Sequence, residues 1–190
     1  TTEIYTLSLH DALPIFRRDA RGEPVASAEV VVLSNLRRAG GKGEANVSFR
    51  GIGPAGRALR PQVRLVAGDW FVPGKRQVVV SASLAPRFEG LGLGGTFHSG
   101  PHGLRVVGIF DARGTAFDSE IWLDADEARS LFDRDPFSSV IVRVPDPADQ
   151  LALKGALEAD KQLRLLALPE PEYYAKLTTS AGPIRFLGYF

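Results

Sequence analysis

The strongest local constraint in the chain lies at residues 65–80, Leu-Val-Ala-Gly-Asp-Trp-Phe-Val-Pro-Gly-Lys-Arg-Gln-Val-Val-Val. Two apolar segments flank Pro73-Gly74. Proline presets φ at the second position of a turn and glycine supplies the positive φ that can follow, so the stretch reads as strand, turn, strand, the pattern of a hairpin. Trp70 and Phe71 stand just before the turn. Adjacent residues of a strand point to opposite faces, which predicts that one ring anchors the core while the other meets a second layer. Trp70 is expected to be the buried structural anchor.

With 190 residues, 44% hydrophobic and 24% charged, the chain can bury a real core as one domain or two small ones. A formal net charge of +1 favours neither nucleic acid nor anionic lipid as a partner. The lack of cysteine excludes disulfides and thiolate zinc sites, and the lack of methionine predicts a processed product, an excised domain or a fragment. No stretch reaches the roughly 18 consecutive apolar residues of a membrane span.

In chain order, residues 1–15 show no period and fit nothing that follows. They resemble translated sequencing-adapter read-through and are assigned no function. Glu29-Val30-Val31-Val32-Leu33 is a β-branched run that predicts a buried strand. Residues 37–44 form a basic, glycine-rich loop whose Gly40-Gly41-Lys42-Gly43 lacks the spacing of a phosphate loop. Residues 45–50 predict another strand, and Gly90, Gly92, Gly94 and Gly95 a tight loop. Residues 104–110 predict a strand, turned by 111–114. Many short strands joined by Gly/Pro turns make this part β-rich.

From Asp124 the pattern changes. Asp124 and Glu127 are spaced as a capping box, with Ala128, Leu131 and Phe132 on one helical face and an end near 134–136. Residues 139–144 predict a strand, Asp146-Pro147 opens a helix to about 159, and residues 163–168 return as a strand. That is a β-α-β unit of ordinary crossover length.

Candidate chemistry is sparse. His98 and His102 are four apart, but Ser99-Gly100-Pro101 between them forbids a regular helix, so no metal site is expected. Asp118, Ser119 and Glu120 set a hydroxyl between two carboxylates, yet adjacent side chains cannot form a directed triad. They are expected to cap and pair instead. Tyr173-Tyr174 after Pro171 predicts a helix start with packed rings. No catalytic, cofactor or metal residue is assigned, and Trp70, Phe71, Glu120, Trp122, Tyr173 and Tyr174 are the expected structural or interaction residues.

Gly68-Asp69-Trp70-Phe71-Val72-Pro73-Gly74 followed by Gln77-Val78-Val79-Val80 resembles the Gly-Arg-Trp-Phe-x-Pro-Gly … Glu-Val-Val-Val signature of the extracytoplasmic domain of MacB/FtsX-like ABC transporter permeases. Ser83-Leu84-Ala85 with Phe88 and 90–94, Val106-Val107-Gly108-Ile109-Phe110, residues 117–122 and Glu172-Tyr173-Tyr174 resemble further family segments in the same order. The resemblance covers about residues 24 to 190. Asp69 stands where Arg is usual, Ser81 where Gly is common, and Gly95 where Asp is common.

The resemblance implies an α+β fold of two lobes, a β-rich lobe at about 45–118 and a β-α-β, porter-like lobe from about 24–44 and 119–171, within a domain spanning 16–183. Residues 184–190 would begin a truncated transmembrane helix. It implies a non-catalytic domain on the periplasmic side of a bacterial inner membrane, coupling substrate or partner contact to a conformational cycle. ATP would be bound by a separate ATPase subunit, with a periplasmic adaptor or substrate protein as further partner and a homodimer in the full permease. The alternatives are a free-standing ligand-binding domain and a small hydrolase using Asp118, Glu120, His98 or His102.

Overall fold

The computed structural model describes residues 22, 25–41, 43–144, 146–159, 166–170 and 172–173. The fold is α+β. Two compact units divide the described residues, one up to Arg143 and one from Val144.

In the first unit, β1 (Ala26–Arg37) and β2 (Glu44–Ile52) form an antiparallel hairpin in register from Val30 opposite Gly51 to Arg37 opposite Glu44. The strand expected at 29–33 thus runs on to the edge of the glycine-rich turn. Next come β3 (Arg64–Gly68), β4 (Gln77–Ser81), β5 (Thr96–Ser99), β6 (His102–Asp111), β7 (Glu120–Asp124) and β8 (Ser139–Val142). They join one sheet in the order β3-β6-β4-β7-β2-β1-β8, with β5 pairing β6. β2 lies parallel to β7, and β4 parallel to β6. The strand β7, from the porter-like portion of the sequence, sits between β4 and β2 of the β-rich portion.

The stretch around Pro73-Gly74 is a strand, a turn and a strand, but not a hairpin. β3 and β4 both pair with β6, which lies between them. Residues 69–76 therefore cross from one side of β6 to the other, and their length allows it, since passing two strand spacings covers only about 10 Å. The crossing starts at Gly68, whose φ of +73° turns the chain while Asp69 N–H donates to the Val107 carbonyl at 2.9 Å. A Cβ at Gly68 would strike that same carbonyl oxygen, so glycine is required there twice over.

The core follows from the topology. β4 and β7 are central, covered on both faces, and read as continuous buried runs, Val78-Val79-Val80 and Ile121-Trp122-Leu123. Phe49, Leu104 and Val106 pack with Val78, Val80, Ile121 and Leu123 on one face, and Phe110 lies against Trp122 on the other. Trp70 and Phe71 lie outside any strand and are only half-buried, so the expectation that Trp70 is the buried anchor is corrected. Trp122, fully buried in β7, holds that place.

Helix α1 (Ala125–Leu131) follows β7 without a loop. The Asp124 carboxylate caps it, accepting from the N–H groups of Asp126 and Glu127 at 3.1 Å each. The reciprocal arm of the capping box is diverted, because the Glu127 carboxylate accepts from the Arg76 N–H at 2.6 Å across the fold. Small residues let α1 lie close on β2: a Cβ on Gly51 would come within 2.5 Å of the Ala128 Cβ.

In the second unit, α2 (Pro147–Ala159) starts where Asp146 accepts from the Ala148 N–H at 2.7 Å, and it buries Leu153. Of the strand expected at 163–168, residues 163–165 lie outside the described residues and 166–168 are not in a strand. The leader at 1–15, Tyr174 and the apolar end at 184–190 also lie outside them. Among the described residues no helix is long and apolar enough to cross a membrane.

Candidate functional site

Strand alternation places Ser27 and Glu29 on one face of β1, and Glu120 and Trp122 on one face of β7, with Arg50 of β2 between them. Arg60, from the loop between β2 and β3, enters from above. All six side chains are buried, Glu29 at 0% and Arg60 at 1% exposure. Arg50 bridges both carboxylates. Its Nε and Nη2 donate to Glu120 at 2.7 and 2.6 Å, and its Nη1 to Glu29 at 2.9 Å. Arg60 forks onto Glu29 through Nη1 at 2.7 Å and Nη2 at 2.8 Å, and Ser27 Oγ donates to the same carboxylate at 2.9 Å. Trp122 Nε1–H donates to Glu120 Oε2 at 2.7 Å.

Two carboxylates and two guanidinium groups balance in charge, and the fork geometry supplies the directed hydrogen bonds that make burial of four charges tolerable. Aromatic faces complete the enclosure. The Arg60 guanidinium lies 4.9 Å from the Phe117 centroid and 5.6 Å from that of Trp122. Trp122 meets Phe110 at 5.0 Å, Phe117 edge-on at 5.5 Å and Trp70 stacked at 6.3 Å, and Arg57 caps Trp70 at 5.0 Å. Trp70 is thus the outer plate of a cation–indole–indole column that ends on the buried cluster.

This arrangement clamps rather than reacts. Every oxygen of Glu29 and Glu120 is held by a guanidinium group, which leaves neither carboxylate as a free base. Asp118, in the 3-10 turn Ala116–Ser119, accepts from the Ala112 N–H at 3.0 Å and the Gly114 N–H at 2.6 Å, so it clasps the turn after β6. Ser119 Oγ donates to the Ala116 carbonyl. Capping and pairing, the expectation for this triplet, is what these residues do. His98 pairs with Gly103 and His102 with Ser99 across the β5–β6 hairpin, which puts the two imidazoles on opposite faces of the ribbon. They cannot share a metal ion. Tyr173 is exposed at 42%, and its N–H donates to the Pro169 carbonyl at 3.1 Å, as at a helix start.

Sequence reasoning found Glu120 and Trp122 but missed Glu29, Arg50 and Arg60. A signal existed for two of them: Glu29 opens a run of β-branched residues, and Arg50 interrupts Phe49-Arg50-Gly51-Ile52, each a charge set in an otherwise apolar strand segment. A separate shallow cleft of about 150 Å³ is lined by Gly74, Arg76, His102, Glu127, Ser130 and Leu131. Burial raises the Glu127 carboxyl above the usual carboxylate range, against the lowering effect of the Arg76 N–H and with Asp124 adding to the rise.

Residues 3–160 match the family described as MacB-like periplasmic core domain. The chain belongs to that family. It is the family whose signature residues 68–80 resemble. Among solved structures, the extracellular domain of the ABC-type transporter YknZ from Gram-positive bacteria is similar at 17% identity and TM-score 0.59, over 81% of this chain and 77% of that one. The periplasmic region of MacB from Actinobacillus actinomycetemcomitans is similar at 14% identity and TM-score 0.60, over 93% and 81%. At such identities the likeness is one of fold. No curated protein matches the chain. As a MacB-like periplasmic core domain, the chain is an extracytoplasmic part of a membrane transport system.

Proposed function

We propose that this domain is a non-catalytic coupling element of an ABC transporter permease: it meets a substrate or periplasmic partner and relays that contact to the membrane region as an ATPase cycles. The observation that supports this most is the buried cluster of Glu29, Arg50, Arg60 and Glu120, which ties β1, β2, β7 and the 53–63 loop together at the middle of the sheet. A relay must move as a body, and a charge-matched clamp stiffens the sheet where strands of the two expected lobes interleave. Each state of the cycle must bind something differently for work to pass through, so nucleotide belongs to a separate ATPase subunit, outside this chain. An adaptor or substrate protein is the periplasmic partner, with the permease as a homodimer. Phe71 and Tyr173, partly or largely exposed, are candidate contacts.

The test is to delete the parent permease gene and restore it with or without residues 24–180, measuring export beside ATPase activity. Loss of export with residual ATPase activity is expected. Full export without the domain would refute the relay, and turnover of a small substrate by the isolated chain, abolished by Asp118→Ala or His98→Ala, would replace it with the hydrolase reading.

A further inference from the structure

Glu127 joins two elements far apart in sequence. Its Oε1 accepts from the Arg76 N–H at 2.6 Å and so fastens the end of the 69–76 crossover to α1. Arg76 holds a left-handed φ of +51°, a conformation costly for a side chain with a Cβ and kept only because its surroundings fix it. The other oxygen, Oε2, is enclosed and has no hydrogen-bond partner among the described residues. An ionised carboxylate with one oxygen enclosed and undonated lacks the solvation it would regain if the crossover swung away. A neutral carboxyl keeps the Oε1 acceptor and loses most of that penalty.

We propose that Glu127 is an acid-fastened clasp: a fall in pH protonates it and tightens the crossover carrying Trp70 onto α1. The charged and titratable groups around it are Arg76 from the crossover, His102 from β6 and Asp124 from the helix cap. Arg76 favours the ionised form and Asp124 the neutral one, while burial, the largest influence, also favours the neutral form. The direction follows from linkage. A carboxyl that binds its proton more tightly when the crossover is closed must close the crossover when it binds that proton. The stability this group contributes is complete below the ordinary glutamate value and is lost as pH rises through its raised value in the folded protein. The clasp would make the Trp70 column, the outermost part of the clamp, responsive to the pH of the compartment it faces.

The experiment is an NMR titration of the 190-residue chain between about pH 4 and pH 8, following the Glu127 side-chain carboxyl carbon and the Arg76 amide. Hydrogen exchange at Arg76 is measured alongside and corrected for its intrinsic pH dependence. The expected result is a Glu127 midpoint above the free-glutamate value, an Arg76 amide shift with the same midpoint, and exchange at Arg76 about two- to tenfold slower on the acid side. Glu127→Gln, a neutral isostere, should give slow and pH-independent exchange, and His102→Gln should leave the transition in place. A Glu127 midpoint in the ordinary range, an Arg76 amide that does not follow it, or exchange that speeds up on acidification would overturn the clasp. So would a transition that survives in Glu127→Gln or vanishes in His102→Gln. The wild-type titration decides even if a variant fails to fold.

Discussion

At the scale of single residues, the two tryptophans separate burial from position. Trp122 is enclosed by Phe110, Phe117 and Trp70 and donates its indole N–H to Glu120. Truncation to alanine removes a fully buried ring and a donor to a buried carboxylate, so Trp122→Ala should cost about 3–5 kcal/mol in denaturant unfolding. Trp70 is only half-buried, between the Arg57 guanidinium and the Trp122 ring, and Trp70→Ala should cost clearly less. Equal losses would mean that the outer ring carries as much of the core as the inner one. The cluster gives a sharper test. Arg50→Met leaves Glu120 without its guanidinium and Glu29 with one of its two, which should destabilise the chain by about 3–5 kcal/mol, whereas replacing Arg50 and Glu120 together by apolar residues should recover part of that loss. No recovery in the double variant would show that the cost lies in packing rather than in stranded charge. Trp122 and Glu120 were legible in sequence through the 117–122 segment. Arg60 was not, because it reaches the cluster from a loop that no strand or helix period describes.

At the scale of elements, local signals located most strands and the start of α1, but they did not reveal which strand neighbours which. The valine run of β4, the β-branched stretch of β1 and the Asp124 cap each depend on a few adjacent residues. The link across Pro73-Gly74 depends on β6, some thirty residues on, slipping between the strands on either side. That insertion is non-local and leaves only faint marks, such as the glycine at 68. Helix packing is open to test on the same terms. Gly51→Ala sets a methyl group against Ala128 Cβ at 2.5 Å and the Ala125 backbone at 2.9 Å, so α1 must shift off β2. A loss of about 1–3 kcal/mol is expected. Gly92→Ala meets nothing within 4 Å and should change stability by no more than about 0.5 kcal/mol, which makes it the control. If both variants unfolded alike, close packing of α1 on β2 would not be what Gly51 provides.

At the scale of the molecule, the order β3-β6-β4-β7-β2-β1-β8 interleaves distant parts of the sequence within residues 25–143. β7 has β4 on one side and β2 on the other, and β1 changes partner along its length, pairing β8 through Ala26–Glu29 and β2 from Val30 onward. A division into two lobes drawn along the sequence therefore crosses hydrogen-bonded ladders, and the charge cluster sits at that crossing. Strands joined this way should open together. Native-state hydrogen exchange should give β2, β4 and β7 a common, global opening free energy, and Arg50→Met should lower it by the same amount in all three. β8, held to β1 by four paired residues at the sheet edge, should open earlier. If instead β7 followed β1 while β2 and β4 opened as a separate group, the lobes would be independent cooperative units. The sheet could not then act as a single relay, and force would have to pass between the lobes through a hinge.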